Sequence, residues 1–514
     1  MQKWIVWIAT GTLVVINTFC STIGSTARPI APTQPIITPE TATAPWTANP
    51  ASPGAAVGSH KTYLPTIANM SGVGYRTHIP LLADPAGVDF DQMAIFWFGK
   101  ISPTENYIET RVAYTSTEIY VRLTVFDRLI WYNESNPSAA NLPNWDSVTV
   151  YFDLNNGSSL SARTFRLDAG ARDDWLPPDD YQYAYTGANA AWTPASLAFS
   201  TSTYARWESA TVGGLNNGQD NRGWILDYQI PFSSLGLSAA PPASSAWKLA
   251  VSVHDRDDGS LNAATNPDKV WPPNMQAGAP ATWGTLVFGT PVYSPAPAVT
   301  EGTLTLRNLL DGVSVPDAMV GGGTLCGEGL NYWTEWGNYN DAGASQVNVQ
   351  NQEDVADWPC FSKYYITFPL SGIPPGKVIK SAVLTMYQFG NSGVNDPEDP
   401  SANPLPSYIQ LFAADQDWSD TTITWNNAPL SLDNFGGSWV DILAAFPGIP
   451  GVARTWDVAG ITSYFYQQGT PLRLILYSAD HGRHSGKYFT GSDIEDFYAS
   501  GRPTLVITWG KPAN

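Results

Sequence analysis

Two short runs stand out for the oxygen ligands they carry. Asp153-Leu154-Asn155-Asn156-Gly157 and Asp255-Arg256-Asp257-Asp258-Gly259 alternate hard oxygen donors ahead of a turn-forming glycine, and calcium gathers several such oxygens at a turn. Asp153, Asn155, Asp255 and Asp257 are therefore the candidate calcium ligands. Neither run completes an EF-hand loop, since the glycine falls one place early and the distal Glu is missing. The structural alternative is a pair of Asx-turns at strand ends, and nothing else in the sequence requires a cofactor.

The aromatic residues suggest a different chemistry. The 21 Trp, 24 Tyr and 19 Phe exceed what alternating core positions absorb. Trp224, Trp283, Trp425 and Trp456 sit in strand-like contexts, where packing is their work. Trp131, Trp145, Trp175, Trp192, Trp207 and Trp271 lie in or beside polar, Pro-rich segments. An exposed indole offers a flat apolar face to the CH face of a sugar ring, while neighbouring Asp, Asn and Arg bond the hydroxyls. The alternative for each is that it pins a loop onto its own domain.

Catalytic motifs are missing: there is no Gly-x-Ser-x-Gly, His-Glu-x-x-His, P-loop or Cys-x-x-Cys. A glycosidase needs two carboxylates at a set spacing, and 45 acidic residues offer candidates without specificity. The expectation is a protein that is not an enzyme.

The formal net charge of −19, with no Lys/Arg cluster, argues against nucleic acid and against an anionic membrane surface. With 43% hydrophobic and only 14% charged residues, the chain is too apolar for disorder and too poor in charge for a coiled coil. The 44 Gly and 41 Pro favour short strands and many turns.

Lys3 followed by the apolar run Trp4 to Ile16 reads as a secretory signal, residues 1–27, too short to span a bilayer. Residues 28–74 form a Pro/Thr/Ala-rich linker. A second linker, 290–300, separates the blocks 75–289 and 301–512, each large enough for one core. The mature chain is expected to be secreted, with no membrane insertion. Cys326 and Cys360 then remain as a pair in an oxidising compartment; bridging their loop of about 34 residues contributes about 4 kcal/mol on the chain-entropy model.

Both blocks alternate with period two. Ile119, Val121, Leu123 and Val125 point one way, as do Val148, Val150 and Phe152, and in the second block Leu472, Leu474 and Leu476. A helical period appears only around Ile461 to Tyr466. Many short strands without a βαβ rhythm give an all-β fold of two tandem antiparallel β-sandwiches, jelly-roll-like in kind.

An ordered series of short motifs runs through residues 75–289: Ile119-Tyr120-Val121 to Asp127, Asp146 to Asp153, Phe165-Arg166-Leu167-Asp168, Gly223-Trp224-Ile225 to Phe232, and Trp271-Pro272 with Trp283-Gly284-Thr285-Leu286. The series resembles carbohydrate-binding module family 9. The resemblance implies that Trp145 and Trp271 sandwich a terminal sugar while Arg166 and Asp168 bond its hydroxyls, with Trp131 and Trp175 as secondary candidates.

In the second block, Tyr365 to Gly376, Trp418-Ser419-Asp420 with Thr424-Trp425-Asn426-Asn427-Ala428-Pro429, Trp456-Asp457-Val458 and Arg502 to Ile507 resemble a DNRLRE domain, the group that includes carbohydrate-binding module family 96. The long insertion between the cysteines, carrying Trp333 and Trp336, is a further candidate ligand surface. The expected function is a secreted, non-catalytic polysaccharide-binding protein that supports degradation or attachment, with cell-surface or secreted-enzyme partners. The alternatives are an extracellular adhesin that binds a protein or cell-wall partner, and then a hydrolase acting on glycosyl bonds.

Overall fold

Alternation makes every strand two-faced, and the protein stacks those faces into four layers. The computed structural model describes residues 74–513 apart from 83–89, 136, 174–175, 208–211, 261–265, 352–359, 395–396, 398–401 and 481–483. The expected signal at 1–27, the tether as far as residue 73, and Trp175 lie outside the described residues.

The outer sheet of the first sandwich runs Arg76–Ile79, Gly284–Phe288, Ala246–His254, Ser147–Asp153, Thr164–Gly170, Gln182–Ala188 and Ala191–Ala195, with Lys269–Trp271 attached to Ala246–His254. Its inner sheet runs Ala94–Ser102, Glu105–Tyr114, Glu118–Phe126, Asn221–Pro231 and Ser200–Trp207. Val121, Leu123 and Val125 from one sheet meet Val148, Val150 and Phe152 from the other in a single core.

In the second sandwich the inner sheet is Asp317–Gly321, Ser362–Phe368, Leu472–Ser478, Ser407–Ala414 and Ser431–Val440. The outer sheet is Ala298–Arg307, Thr504–Pro512, Val378–Asn391, Lys487–Thr490 and Gln346–Val349, with Val452–Asp457 beside Val378–Asn391. Leu472, Leu474 and Leu476 face Leu384, Leu505 and Ile507 across this core. The helical period belongs to one helix, Ala459–Gln468, closed by Gly469 in the left-handed region at φ 69°. The connector 290–300 is shorter than its composition implies. Val299 and Thr300 already pair with Lys511 and Gly510, because alternation in the strand starts at Ala298.

The inner sheets of the two sandwiches face each other, and the layer between them is as buried as the cores. Ile95, Trp97, Tyr107 and Phe126 pack against Tyr365, Phe412, Trp425, Ile475 and Tyr477. Edge contacts fix the register of this seam. The Asn426 side chain accepts from the Ile101 N–H and donates to its carbonyl, both at 2.9 Å; Asn434 pairs with the His78 backbone in the same manner. Glu109 and Arg111 occupy alternate positions of a strand and would be solvated on an isolated sandwich. Both are fully buried in the seam, 3.6 Å apart, where Arg111 Nε donates to the Ala479 carbonyl and Asn351 Nδ2 to Glu109. A buried charge persists only with such partners.

Cys326 and Cys360 form a disulfide. The segment it closes delivers Trp333 and Trp336 into the seam rather than to solvent. Their expected role as a ligand surface is thereby corrected: the two indoles complete the inter-sandwich core, with Trp336 5.0 Å from Trp425.

Candidate functional site

The outward face of the first sandwich's outer sheet is where polar and aromatic side chains gather. Thr149 and Tyr151 point outward because Val148, Val150 and Phe152 point in. Arg166 and Asp168 likewise alternate with Phe165, Leu167 and Ala169. Antiparallel register then sets Tyr151, Arg166 and Tyr185 in one cross-strand row, and Thr149, Asp168 and Tyr183 in the next. Cross-strand neighbours of this kind are close enough to interact.

Arg166 grips Asp168 through Nε at 2.8 Å and Nη2 at 2.7 Å, a bidentate pair that fixes the guanidinium plane. The guanidinium lies 4.8 Å from the Tyr185 ring centroid. Its Nη1 makes no hydrogen bond among the described residues, and the side chain is partly open to solvent. Asp168 is buried beneath it and also accepts from Thr149 Oγ1 at 2.8 Å. The polar chain runs on from Thr149 to His254 at 3.2 Å and from His254 to Asp268 at 3.0 Å. Beside it Tyr151 packs against Trp192 and Trp283, at 5.8 and 5.3 Å between centroids. Trp192, Tyr183 and Tyr185 are half-buried. A cavity of about 260 Å³ opens beyond Tyr183 and Tyr185, walled by Gln182, Pro194 and Phe199.

The two expected sandwiching tryptophans are not on this face. Trp271 pairs with Val251, whose side chain points into the core, so the indole follows it inward. It is 0% exposed and stacks on Phe96 at 3.9 Å. Trp145 is 7% exposed, tucked at the end of the short turn Leu142–Asn144 with the Arg256 guanidinium 5.8 Å from its ring. Trp131 is half-buried, with Gly259 packed against its ring so closely that a Cβ there would sit 2.7 Å from it. The structure thus brings together Arg166 and Asp168 and replaces the indole pair by Tyr185 and Trp192. Sequence reasoning missed Tyr151, Tyr183 and Tyr185; their places opposite Arg166 and Asp168 depend on strand pairing, which alternation alone does not specify.

The two acidic runs separate. Asp153 accepts from the Gly157 N–H and from Thr164 Oγ1, so both its oxygens tie a turn, and Asn155 is exposed. This is the Asx-turn alternative. Asp255 and Asp257 instead join Asp127, with carboxylate oxygens all within 4.8 Å of one another. Asp146 adjoins them, and burial, followed by the neighbouring carboxylates, pushes Asp127 and Asp146 well above the usual carboxylate range. Burial, then Asp257, raises Asp255 to about 7. Asp255 Oδ1 is buried and without a hydrogen-bond partner among the described residues. Asn266 Nδ2 donates to Asp255 at 2.9 Å and to Asp257 at 2.7 Å. Two buried carboxylates and a half-buried third, mutually repelling and with an orphan oxygen among them, are a donor set for a hard divalent cation.

Residues 334–439, within the second sandwich, match the model of carbohydrate-binding module family 96, a stretch that includes the motifs around Trp418 to Pro429. Among solved structures the chain is similar to a carbohydrate-binding module family 9 from Caldicellulosiruptor kristjanssonii in complex with cellotriose. The identity is 12%, 43% of this chain and 100% of that one are covered, and the TM-score is 0.28. The same module in complex with glucose gives 13% identity, 43% and 98% coverage and a TM-score of 0.28. No curated protein matches the chain.

Proposed function

We propose that this chain binds a neutral polysaccharide on the outer sheet of its first sandwich, outside the cell and without catalysis of its own. The observation that carries the reading is the Arg166–Asp168 pair. A guanidinium locked in plane, with hydrogens to spare, stands between Tyr151 and Tyr185 and close to the half-buried Trp192. Ring faces take the apolar side of a pyranose while the guanidinium bonds its hydroxyls. The family match at 334–439 supports a saccharide as ligand. The net charge of −19 favours an uncharged polymer over an acidic one.

A calcium ion on Asp127, Asp255 and Asp257 serves structure rather than binding, since two of its three carboxylates, Asp127 and Asp255, are buried. Affinity electrophoresis through gels containing neutral or acidic polysaccharides tests the proposal. Retardation in a neutral gel that is lost in Arg166→Ala supports it. Free migration in every gel, with capture by a protein or cell-wall partner, favours the adhesin reading. Release of reducing ends would favour the hydrolase.

A further inference from the structure

We infer that the second sandwich holds a saccharide subsite of its own, in a cavity between the loop after Phe368 and the C-terminal end of the helix Ala459–Gln468. The inference rests on the reading of this chain as a carbohydrate binder, but it concerns a different place and different residues. The cavity measures about 630 Å³, within the usual span for small-ligand sites.

Its chemistry is divided as a sugar ring is divided. The floor is apolar: Leu370 and Ile373 are buried members of the second core, and Pro375 and Pro471 form walls. The rim is polar and uncharged, made by Ser371, Gln467, Gln468 and Thr470. Thr470 Oγ1 is buried and bonds nothing among the described residues, a condition that a ligand hydroxyl relieves. The one charged residue of the lining, Lys377, is already paired with Glu301 of the strand Ala298–Arg307. An acidic ligand would therefore meet no free cation, and a purely apolar one would leave the Gln468 amide and Thr470 unmatched.

The cavity is also held open in advance. The Tyr466 hydroxyl accepts from the Lys377 N–H at 2.8 Å and donates to the Pro374 carbonyl at 2.5 Å, which ties helix to loop. Gly469 turns the chain out of the helix at the cavity edge. A preformed site loses less freedom on binding.

Titration calorimetry on the full chain, with a panel of neutral hexaoses of glucose, xylose, mannose and galactose, tests this. At least one hexaose should bind with two sites per chain. Gln467→Ala/Gln468→Ala should remove one of them, with tenfold or greater loss at that site and an unchanged melting temperature. Ser371→Trp, which fills the cavity from the loop side and leaves the helix sequence unchanged, should do the same. Arg166→Ala should remove only the other. One site per chain, abolished by Arg166→Ala and untouched by the cavity variants, overturns this inference and leaves the proposed function standing. One site that responds to the cavity variants alone supports it and overturns the sheet-face site. No binding of any hexaose overturns both.

Discussion

The ammonium of Lys363, in the second sandwich, stands 4.6 Å from the centroid of the Trp97 ring, in the first. Tyr107, Trp425 and Tyr477 complete the cage at 4.7, 3.4 and 4.8 Å, and Lys363 Nζ donates to the Tyr107 hydroxyl. Burial drives the lysine well below its ordinary pKa, and the Glu109 charge opposes that shift. A lysine is tolerated here only because rings and a carboxylate from both sandwiches surround it. The seam therefore belongs to the folded core of both halves.

It follows that the sandwiches unfold together. Calorimetry should show one transition, with calorimetric and van't Hoff enthalpies equal. Trp97→Ala, which opens a cavity in the seam, should lower stability by roughly 3–5 kcal/mol and separate the transition into two. Two transitions in the wild-type chain would contradict a welded seam.

Much of this was legible beforehand, and the seam was not. Val121, Leu123 and Val125 announced a core-facing stripe and kept it. The run Ala94 to Phe98 is apolar without alternation and buried at every position, the mark of a strand covered on both faces and the trace that the seam leaves in the sequence. Glu109 and Arg111 disguised that face as solvent-exposed. Trp271 failed as a binding residue for a related reason: its loop-like surroundings suggested exposure, whereas pairing with Val251 turned it inward. Asp255 and Asp257 were visible as a run. Their partner Asp127 follows the strand Glu118–Phe126, more than a hundred positions away, and only folding unites them.

The carboxylate cluster should bind a lanthanide as well as calcium. Trp224 Nε1 lies 3.3 Å from Asp127 Oδ2, so terbium bound there should show indole-sensitised emission, displaced by calcium and absent in Asp127→Asn. Calcium at a hundredfold excess over its Kd should add about 2.7 kcal/mol of stability, and a chelator should remove it. Melting curves indifferent to chelator, together with dark terbium, would rule the site out.

Asp317 gives a pH signature. Tyr364 and the Ser492 N–H both donate to it, at 2.6 and 2.8 Å, yet burial prevails and pushes it up to about 7. The native state therefore keeps a proton that the unfolded chain releases near its ordinary pKa of about 4. Stability from this group is full below pH 4 and is lost as pH rises towards 7, by at most about 1.4 kcal/mol per pH unit. Urea midpoints measured across that window should fall less steeply in Asp317→Asn. Parallel profiles for the two proteins would contradict the assignment.

Loss of the disulfide should be felt in the seam. Cys326→Ser/Cys360→Ser removes the constraint on a loop of 34 residues, worth about 4 kcal/mol on the chain-entropy model. Since that loop carries Trp333 and Trp336, their fluorescence should shift towards that of solvated indole before global unfolding. An unchanged midpoint and spectrum would mean that packing alone holds the loop.

The most direct test of the account is the affinity of the full chain for a neutral polysaccharide, measured for wild type, Arg166→Ala, Trp192→Ala and Trp271→Phe. The account predicts at least a tenfold loss in the first two with the native fold retained, Arg166→Ala at a lowered melting temperature because buried Asp168 loses its partner, and binding kept in Trp271→Phe, whose ring serves the core. Equal affinity in wild type and Arg166→Ala, or loss of binding only in Trp271→Phe with the fold intact, would contradict it.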